Sequence, residues 1–166
     1  MNNKLKMMLS AFLILMVYSL SAQYVEKSHD LNQIGALKLA EQAKIEAQKL
    51  GKNVSVAVLN NSGVTILLLK GDGVGPHNTE ASRRKAFTAF STKTPSFELM
   101  EKAAADPTAH NLNTLPELLL LGGGVPVWKN GELVGSIGVS GAGGGRTDHE
   151  VAQKAIENLG FTIKKD

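Results

Sequence analysis

One stretch of the chain, from Gly71 to Phe90, constrains the fold more than any other. A β-branched and leucine run from Val64 to Leu69 ends at three alternating glycines, and Pro76 follows them. Glycine accepts backbone conformations that other residues avoid, and proline suits the turn before a helix but not a helix interior. The pattern therefore predicts a strand, a tight bend and then a helix, with His77 at the helix N-terminus beside free backbone N–H groups.

The first residues have the pattern of a secretory signal peptide. Lys4 and Lys6 form a basic start, and Met7 to Leu20 is almost wholly apolar. The apolar run is too short and wrongly flanked for a membrane span, so the alternative of an uncleaved anchor is disfavoured. We expect export to the periplasm or the cell exterior, with no stable membrane span after signal removal. The expected boundaries are a signal peptide at residues 1–22, a loose polar segment at 23–30 and a single domain at 31–166.

The composition excludes several classes of site. The chain has no cysteine, which excludes disulfides, thiolate metal sites, cysteine nucleophiles and covalent c-type haem attachment. The formal charge of +3 falls to +1 without the two lysines of the signal segment, and no basic stripe with interleaved aromatic residues is present. We therefore expect no nucleic-acid binding, and stability from core packing or from assembly with further copies.

The rest of the pattern predicts an α+β domain. Alanines at helical spacing favour a first helix from Leu31 to Leu50, and a Thr-x-x-Glu capping box favours a last helix from Thr147 to Leu159. Turn signals at Asn60–Gly63 and Asn130–Gly131 predict two hairpins, and Leu118–Leu121 is expected to add a short buried strand. These elements predict a central, mainly antiparallel five-stranded sheet flanked by helices, in the order α-β-β-α-α-β-β-β-α.

The helix after His77 is expected to be capped by Asn78 or Thr79 and to run to about Thr92. Its apolar residues recur at helical spacing and predict the buried face. The charged residues between them are expected on the wetter side, namely Glu80, Arg83, Arg84 and Lys85. A polar loop is expected from Thr108 to Asn113, and His149 is expected to be solvated.

Three blocks, in the same order, resemble the GlcG/HbpS-like family: Gly71–Phe90, Gly122–Val127 and Gly131–Gly141. The resemblance covers roughly Leu31 to Leu159. The family includes extracytoplasmic haem-binding proteins and the C-terminal domain of PduO-type proteins. The resemblance therefore implies an exported protein that binds haem or a related tetrapyrrole, in haem sensing, storage or breakdown. It also implies a homo-oligomer, often built from dimers.

The same resemblance suggests which residues would hold the haem. His77 is the first candidate for the iron ligand, because a neutral imidazole binds haem iron. His29 is the weaker alternative, placed near the start of the first helix as in family members with a histidine ligand. The candidates for binding the propionates are the arginine side chains and the backbone N–H groups of the glycine-rich loop, namely Arg83, Arg84, Gly143, Gly144 and Arg146. Thr108 and Thr114 are the candidates that match a threonine near haem in relatives.

Other readings of the sequence stay open. His77 is about as well explained as a turn residue that bonds the backbone. The chain also fits a cofactor-free oligomeric interaction module that partners a sensor or envelope protein. A third reading is a small-molecule enzyme that uses the His77 turn, which requires a closed pocket with a second polar residue within hydrogen-bond reach. The sequence assigns no catalytic residues.

Overall fold

The architecture is a four-stranded antiparallel sheet between two layers of helix. The computed structural model describes residues 28–165, so the expected signal peptide lies outside the described residues. None of the helices described is long and apolar enough to cross a membrane. In chain order the elements are α1 (Gln33–Lys49), β1 (Ser55–Asn60), β2 (Thr65–Leu69), α2 (His77–Thr92), α3 (Ser96–Ala105), a 3-10 helix (Pro107–Thr114), β3 (Gly124–Lys129), β4 (Glu132–Ser140) and α4 (Gly145–Glu157).

Both predicted hairpins form, and they join the outer strands to the inner ones. The strand order is β2-β1-β4-β3, with every neighbouring pair antiparallel. Asn130 and Gly131 have φ of 51° and 74°, the left-handed values that a tight two-residue turn requires. The inner strands pair in register, with Val56 opposite Val139. Strands β1 and β4, one from each hairpin, are therefore the two central strands of the sheet.

The expectation of a fifth strand is wrong, because the sheet has four. The backbone of Leu118 to Leu121 bonds helix side chains instead of a neighbouring strand. Leu119 N donates to Thr88 Oγ1 at 2.8 Å, and Leu121 O accepts from Ser96 Oγ at 2.8 Å. Because these groups are satisfied by α2 and α3, the segment adds no strand to the sheet. The order of elements is therefore α-β-β-α-α, the 3-10 helix, then β-β-α, and the polar loop expected after α3 is that 3-10 helix.

The two faces of the sheet are buried against different helices. Alternate residues of the inner strands, such as Val58 and Ile137, pack with the small residues of α1 and α4 in the larger core. The opposite side chains of β1, Ala57 and Leu59, pack with Ala86 of α2. Burial on both faces explains why β1 and β4 read as nearly continuous apolar or small-residue runs instead of alternating with polar residues.

Helix starts differ from the sequence expectations. The first helix was expected from Leu31 with Asp30 as a possible cap, but α1 begins at Gln33, and Asn32 caps it by accepting a hydrogen bond from Gly35 N at 2.8 Å. The helices α2 and α4 begin after Pro76 and Gly144, without a side-chain cap. The capping box expected at Thr147 therefore does not form, because α4 already begins at Gly145.

Gly138 lets α2 lie directly on the sheet. A Cβ placed there would sit 2.7 Å from Ala86 N and 3.0 Å from the Ser82 carbonyl carbon. Both neighbours are backbone atoms of α2, which cannot move without shifting the helix. The glycine is therefore required by close approach, not by its backbone angles.

Gly138→Ala tests this packing. We expect the free energy of unfolding to fall by at least about 1–3 kcal/mol, because the added methyl overpacks the α2–sheet contact. Gly160→Ala is the control: nothing lies within 4 Å of its Cβ, and its φ of 74° gives a backbone penalty alone, about 1 kcal/mol. Urea unfolding followed by circular dichroism measures both. A loss at Gly138 no greater than that at Gly160 would contradict the close-packing argument.

Candidate functional site

His77 stands at the N-terminus of α2, as the sequence predicts, with an exposed side chain. Its Nε2 lies 3.2 Å from Asn78 Nδ2. Beside it is a shallow groove of about 370 Å³, lined mainly by glycines and by polar residues such as Lys52, Asn53 and Asn78. Val74 is the one larger apolar side chain in the lining. The glycine bend thus forms a polar groove next to the imidazole, which itself does not line it.

A chain of hydrogen bonds leads from this groove into the core. Ser140 Oγ donates to Asn78 Oδ1 at 2.8 Å. Lys85 Nζ lies 3.3 Å from Ser140 Oγ and donates to Val139 O at 3.2 Å. Its carboxylate partner, Asp148 Oδ2, is 2.8 Å away. The polar surface of the groove is therefore continuous with a buried ion pair.

Lys85 is not on the wetter side of α2 as the sequence suggested. The side chain is 0% exposed, and Asp148 is also buried. Burial lowers the pKa of Lys85, and the charge and hydrogen bond of Asp148 oppose that shift. The end of β4 and the helix α4 cover Lys85. The periodicity of α2 alone does not show that these elements pack against it. The protein encloses its ammonium, and the Lys85–Asp148 pair, called the clamp below, has a structural role.

The clamp also holds the glycine-rich loop before α4. Asp148 Oδ1 accepts a hydrogen bond from Ala142 N at 2.7 Å. Gly143 and Gly144 follow, with φ of 112° and 144°. The loop therefore takes a shape that only glycine adopts readily, and Asp148 fixes its first residue. A Cβ built on Gly143 would lie 3.9 Å from Cε of Lys52, a residue of the groove wall.

The two candidate arginines of α2 are already engaged. Arg83 Nη2 lies 2.7 Å from Glu80 Oε1 and 3.0 Å from Glu117 Oε2, and these bonds raise the pKa of Arg83 further. Arg84 Nη2 donates to Leu118 O at 2.6 Å. Both guanidinium groups serve to tie α2 to the segment after the 3-10 helix.

The candidate threonines lie on the 3-10 helix and are exposed. Thr108 Oγ1 donates to Asp106 Oδ1 at 2.7 Å, and Thr114 Oγ1 donates to Asn111 O at 2.8 Å. Each hydroxyl thus makes a local bond within its own turn. No hydrogen bond in the described part of the chain connects either one to His77.

Arg146 and His149 form a cluster on Phe97, between α3 and α4. The Arg146 guanidinium lies 4.7 Å from the ring centroid, and the His149 ring stacks on it at 5.4 Å. His149 is half-buried instead of solvated, and its Nδ1 is buried without a hydrogen-bond partner in the described chain. Burial lowers the pKa of His149, so the ring is neutral at neutral pH. Arg146 therefore packs beside α3, with Glu101 at 3.8 Å.

His29 lies at a second concavity, beside the turn between β3 and β4. Its Nδ1 is 2.6 Å from Glu132 Oε2, and the hydrogen bond lowers the pKa of Glu132. The adjacent pocket, of about 240 Å³, is walled mainly by apolar groups such as Val134 and Phe161. Lys129 also lines it, and its Nζ is 5.4 Å from the Phe161 ring centroid. The lining thus combines the His29 imidazole, the Asp30 carboxylate, the Lys129 side chain and an apolar wall, and Glu132 bonds the imidazole from beside the pocket.

Apart from His29, no residue of this second pocket stands out in the sequence as a candidate site residue. Asp30 and Asn32 line it beside His29, whereas Lys129 and Asn130 come from the β3–β4 hairpin. Its aromatic wall comes from the segment after α4, which pairs with β3 through a Trp128–Thr162 bridge. No group of three or more His, Asp or Glu residues within residues 28–165 is arranged to hold a metal ion alone. An iron bound here would therefore need further ligands from its own cofactor.

The buried pair predicts a large cost for removing one charge. We expect Asp148→Asn to lower the free energy of unfolding by about 3–5 kcal/mol, because the Lys85 ammonium stays buried without a counter-charge. Glu41→Gln is the control, since Glu41 pairs with Lys38 at 3.0 Å on the surface and such pairs contribute only about 0–1 kcal/mol. Denaturant unfolding at pH 7 measures both.

A double variant, Lys85→Met with Asp148→Leu, tests the cause of that cost. It should recover part of the stability that Asp148→Asn loses, because no unpaired charge remains. If the double variant is less stable than both Lys85→Met and Asp148→Leu alone, the two groups contribute independently of their pairing.

Comparisons with known proteins agree with this fold and with the sequence resemblance. The family model described as haem degrading protein HbpS-like matches residues 31–157. The Escherichia coli (strain K12) protein GlcG is 34% identical over 110 residues, 66% of this chain and 81% of GlcG. The crystal structure of a double mutant of Streptomyces reticuli HbpS has a TM-score of 0.77 and 39% identity, covering 84% of this chain and 93% of that chain. A crystal structure named as a PduOC:heme complex has a TM-score of 0.73 and 26% identity, covering 82% of this chain and 99% of that chain. This chain therefore belongs to the HbpS-like family.

Proposed function

We propose that the protein binds haem or a related tetrapyrrole at the His29 pocket. Membership of the HbpS-like family and the likeness to the PduOC:heme complex support haem as the ligand class. The observation that carries the location is the His29–Glu132 pair at the mouth of an apolar concavity. A haem site needs an axial ligand, apolar contact for the macrocycle and cations for the propionates.

The His29–Glu132 pair is suited to an iron ligand. The Glu132 carboxylate accepts a hydrogen bond from the His29 Nδ1–H, and this bond lowers the pKa of Glu132. This fixes the tautomer and leaves the Nε2 lone pair free. A carboxylate that holds the other ring nitrogen is the usual partner of a metal-binding histidine, because it orients the ring and raises its basicity.

The rest of the pocket supplies the other two requirements. Leu31 is buried at the base, where its backbone N donates to Val134 O at 3.0 Å, and Phe161 adds an aromatic wall. The Lys129 ammonium would bind a propionate at the rim. A bound haem would supply an iron centre, while this chain's residues hold the ring, orient the ligand and limit access of water.

The pocket also supports the expectation of a homo-oligomer. Its volume of about 240 Å³ is below the roughly 300–1,000 Å³ that is common for ligand pockets. One copy therefore covers an edge of the macrocycle, and a second copy would cover the remainder. We include this assembly in the proposal, together with export of the protein and a role in haem sensing, storage or breakdown.

The His77 groove supports haem binding less well. Its walls are glycines and polar side chains, with little apolar surface for a macrocycle. The enzyme reading required a closed pocket, whereas the His77 ring is exposed and bonds Asn78. His77 remains a second candidate for the iron ligand. The cofactor-free interaction module remains the alternative if no tetrapyrrole binds.

Haemin titration of the purified protein tests the proposal. We expect a Soret band that shifts and saturates at a stoichiometric ratio for the wild type. His29→Ala should weaken binding or change the ferric spectrum, because the axial nitrogen is lost. Glu132→Gln should weaken binding by about tenfold or more, as expected for a partner of a metal-binding histidine.

His77→Ala is the matched control and should leave the spectrum unchanged. An unshifted Soret band in the wild type would remove haem binding altogether. A spectrum that changes in His77→Ala but not in His29→Ala would move the iron ligand to the glycine bend. Light scattering with and without haemin would test whether a second copy completes the site.

A further inference from the structure

A second groove runs between α1 and the edge strand β2, away from His29. One half is apolar, with walls formed by Leu37, Ile45 and Leu69. The other half lies toward the loop after β2 and is bordered by Lys52 and Lys70. Lys44, Gln48 and Leu69 line both halves, so the surface is continuous. The groove is therefore apolar at one end and cationic at the other.

The cationic end has an excess of positive charge. Lys44, Lys52 and Lys70 have no carboxylate within 4.0 Å in residues 28–165. Lys70 Nζ donates only to the neighbouring carbonyl of Gly71, at 3.2 Å. By contrast, Lys38 and Lys49, also on α1, are paired with Glu41 and Glu46. Asp72 is the one acidic residue that borders this end.

The apolar end leaves large side chains in water. Leu37 is 50% exposed, Ile45 41% and Leu69 39%. The hydrophobic effect favours covering such a contiguous patch. Glu41 borders it, but its carboxylate is paired with Lys38 at 3.0 Å. Within residues 28–165, the edge strand β2 also has backbone groups with no partner strand on their outer side.

We propose that this groove binds a single-chain anionic amphiphile, with a carboxylate or phosphate head and a hydrocarbon tail. The tail would lie on Leu37, Ile45 and Leu69, and the head would bind Lys44, Lys52 and Lys70. Charge complementarity selects this occupant over a second copy of the chain. In a two-fold contact across this face, the lysine end of one copy would meet either the partner's lysines or its apolar end. Neither supplies a matching group of free carboxylates for the three ammonium groups, which opposes association.

This site is separate from the proposed haem pocket. The two share no lining residue, and His29, Glu132 and Lys129 lie outside the groove. The amphiphile proposal therefore stands or falls without the haem proposal.

Isothermal titration with dodecanoate below its micelle concentration tests the groove. We expect saturable one-to-one binding that weakens as salt is raised, because exposed charges are screened. The triple variant Lys44→Gln, Lys52→Gln, Lys70→Gln should lose about tenfold or more in affinity. The control variant Lys93→Gln, Lys102→Gln, Lys165→Gln removes three exposed lysines that line neither half of the groove, and should bind as the wild type does. Leu37→Gln with Ile45→Gln should also weaken binding.

Several outcomes would overturn the proposal. Absence of saturable dodecanoate binding would do so, as would equal affinity for dodecyltrimethylammonium, which carries the same tail and the opposite charge. An equal loss in the control variant would show that general positive charge is responsible. If Leu37→Gln with Ile45→Gln instead dissociates an oligomer in light scattering, the apolar half is an interface between copies. Loss of haemin binding in the triple variant, with none in His29→Ala, would make the groove the haem site.

Discussion

The buried pair between Lys85 and Asp148 is the interaction on which the rest of the structure depends. A charge enclosed in protein must be paired and hydrogen-bonded, or it is strongly destabilising. Lys85 comes from α2, Asp148 from the first turn of α4, and the ammonium also bonds the end of β4. The pair therefore fixes the two helix layers relative to the sheet between them. Through Ser140 and Ala142 it also sets the loop that borders the glycine groove.

The local signals in the sequence predicted the local structure well. The Asn-Gly turn and the Asn60–Gly63 turn determined both hairpins, because such turns require left-handed backbone angles. The helix after the glycine bend begins where Pro76 places it. Leu118 to Leu121 was misread, because an apolar run does not reveal whether its backbone bonds a strand or the side chains of Thr88 and Ser96.

The long-range polar contacts were beyond a single sequence. Lys85 and Asp148 are 63 positions apart, and a lysine in a helical pattern is ordinarily assigned to solvent. His29 and Glu132 are 103 positions apart. The position of His29 before the first helix was visible, but its carboxylate partner depends on how the β3–β4 hairpin folds back. In the sequence, Gly138 is only one residue of a predicted strand. Its lack of a side chain is nevertheless what allows α2 to pack directly on the sheet.

The two ligand sites proposed for this fold differ in what they can recognise. The His29 pocket offers an imidazole nitrogen, but the adjacent Glu132 carboxylate repels a simple anionic head and favours a ligand that brings a metal. The groove along α1 offers three ammonium groups and no imidazole, which favours an anion without iron. Haem is itself an anionic amphiphile, so apolar surface and positive charge alone would not separate it from a fatty acid. Discrimination between haem and a fatty acid therefore depends on the His29–Glu132 pair, because only haem carries a metal that an axial ligand can bind.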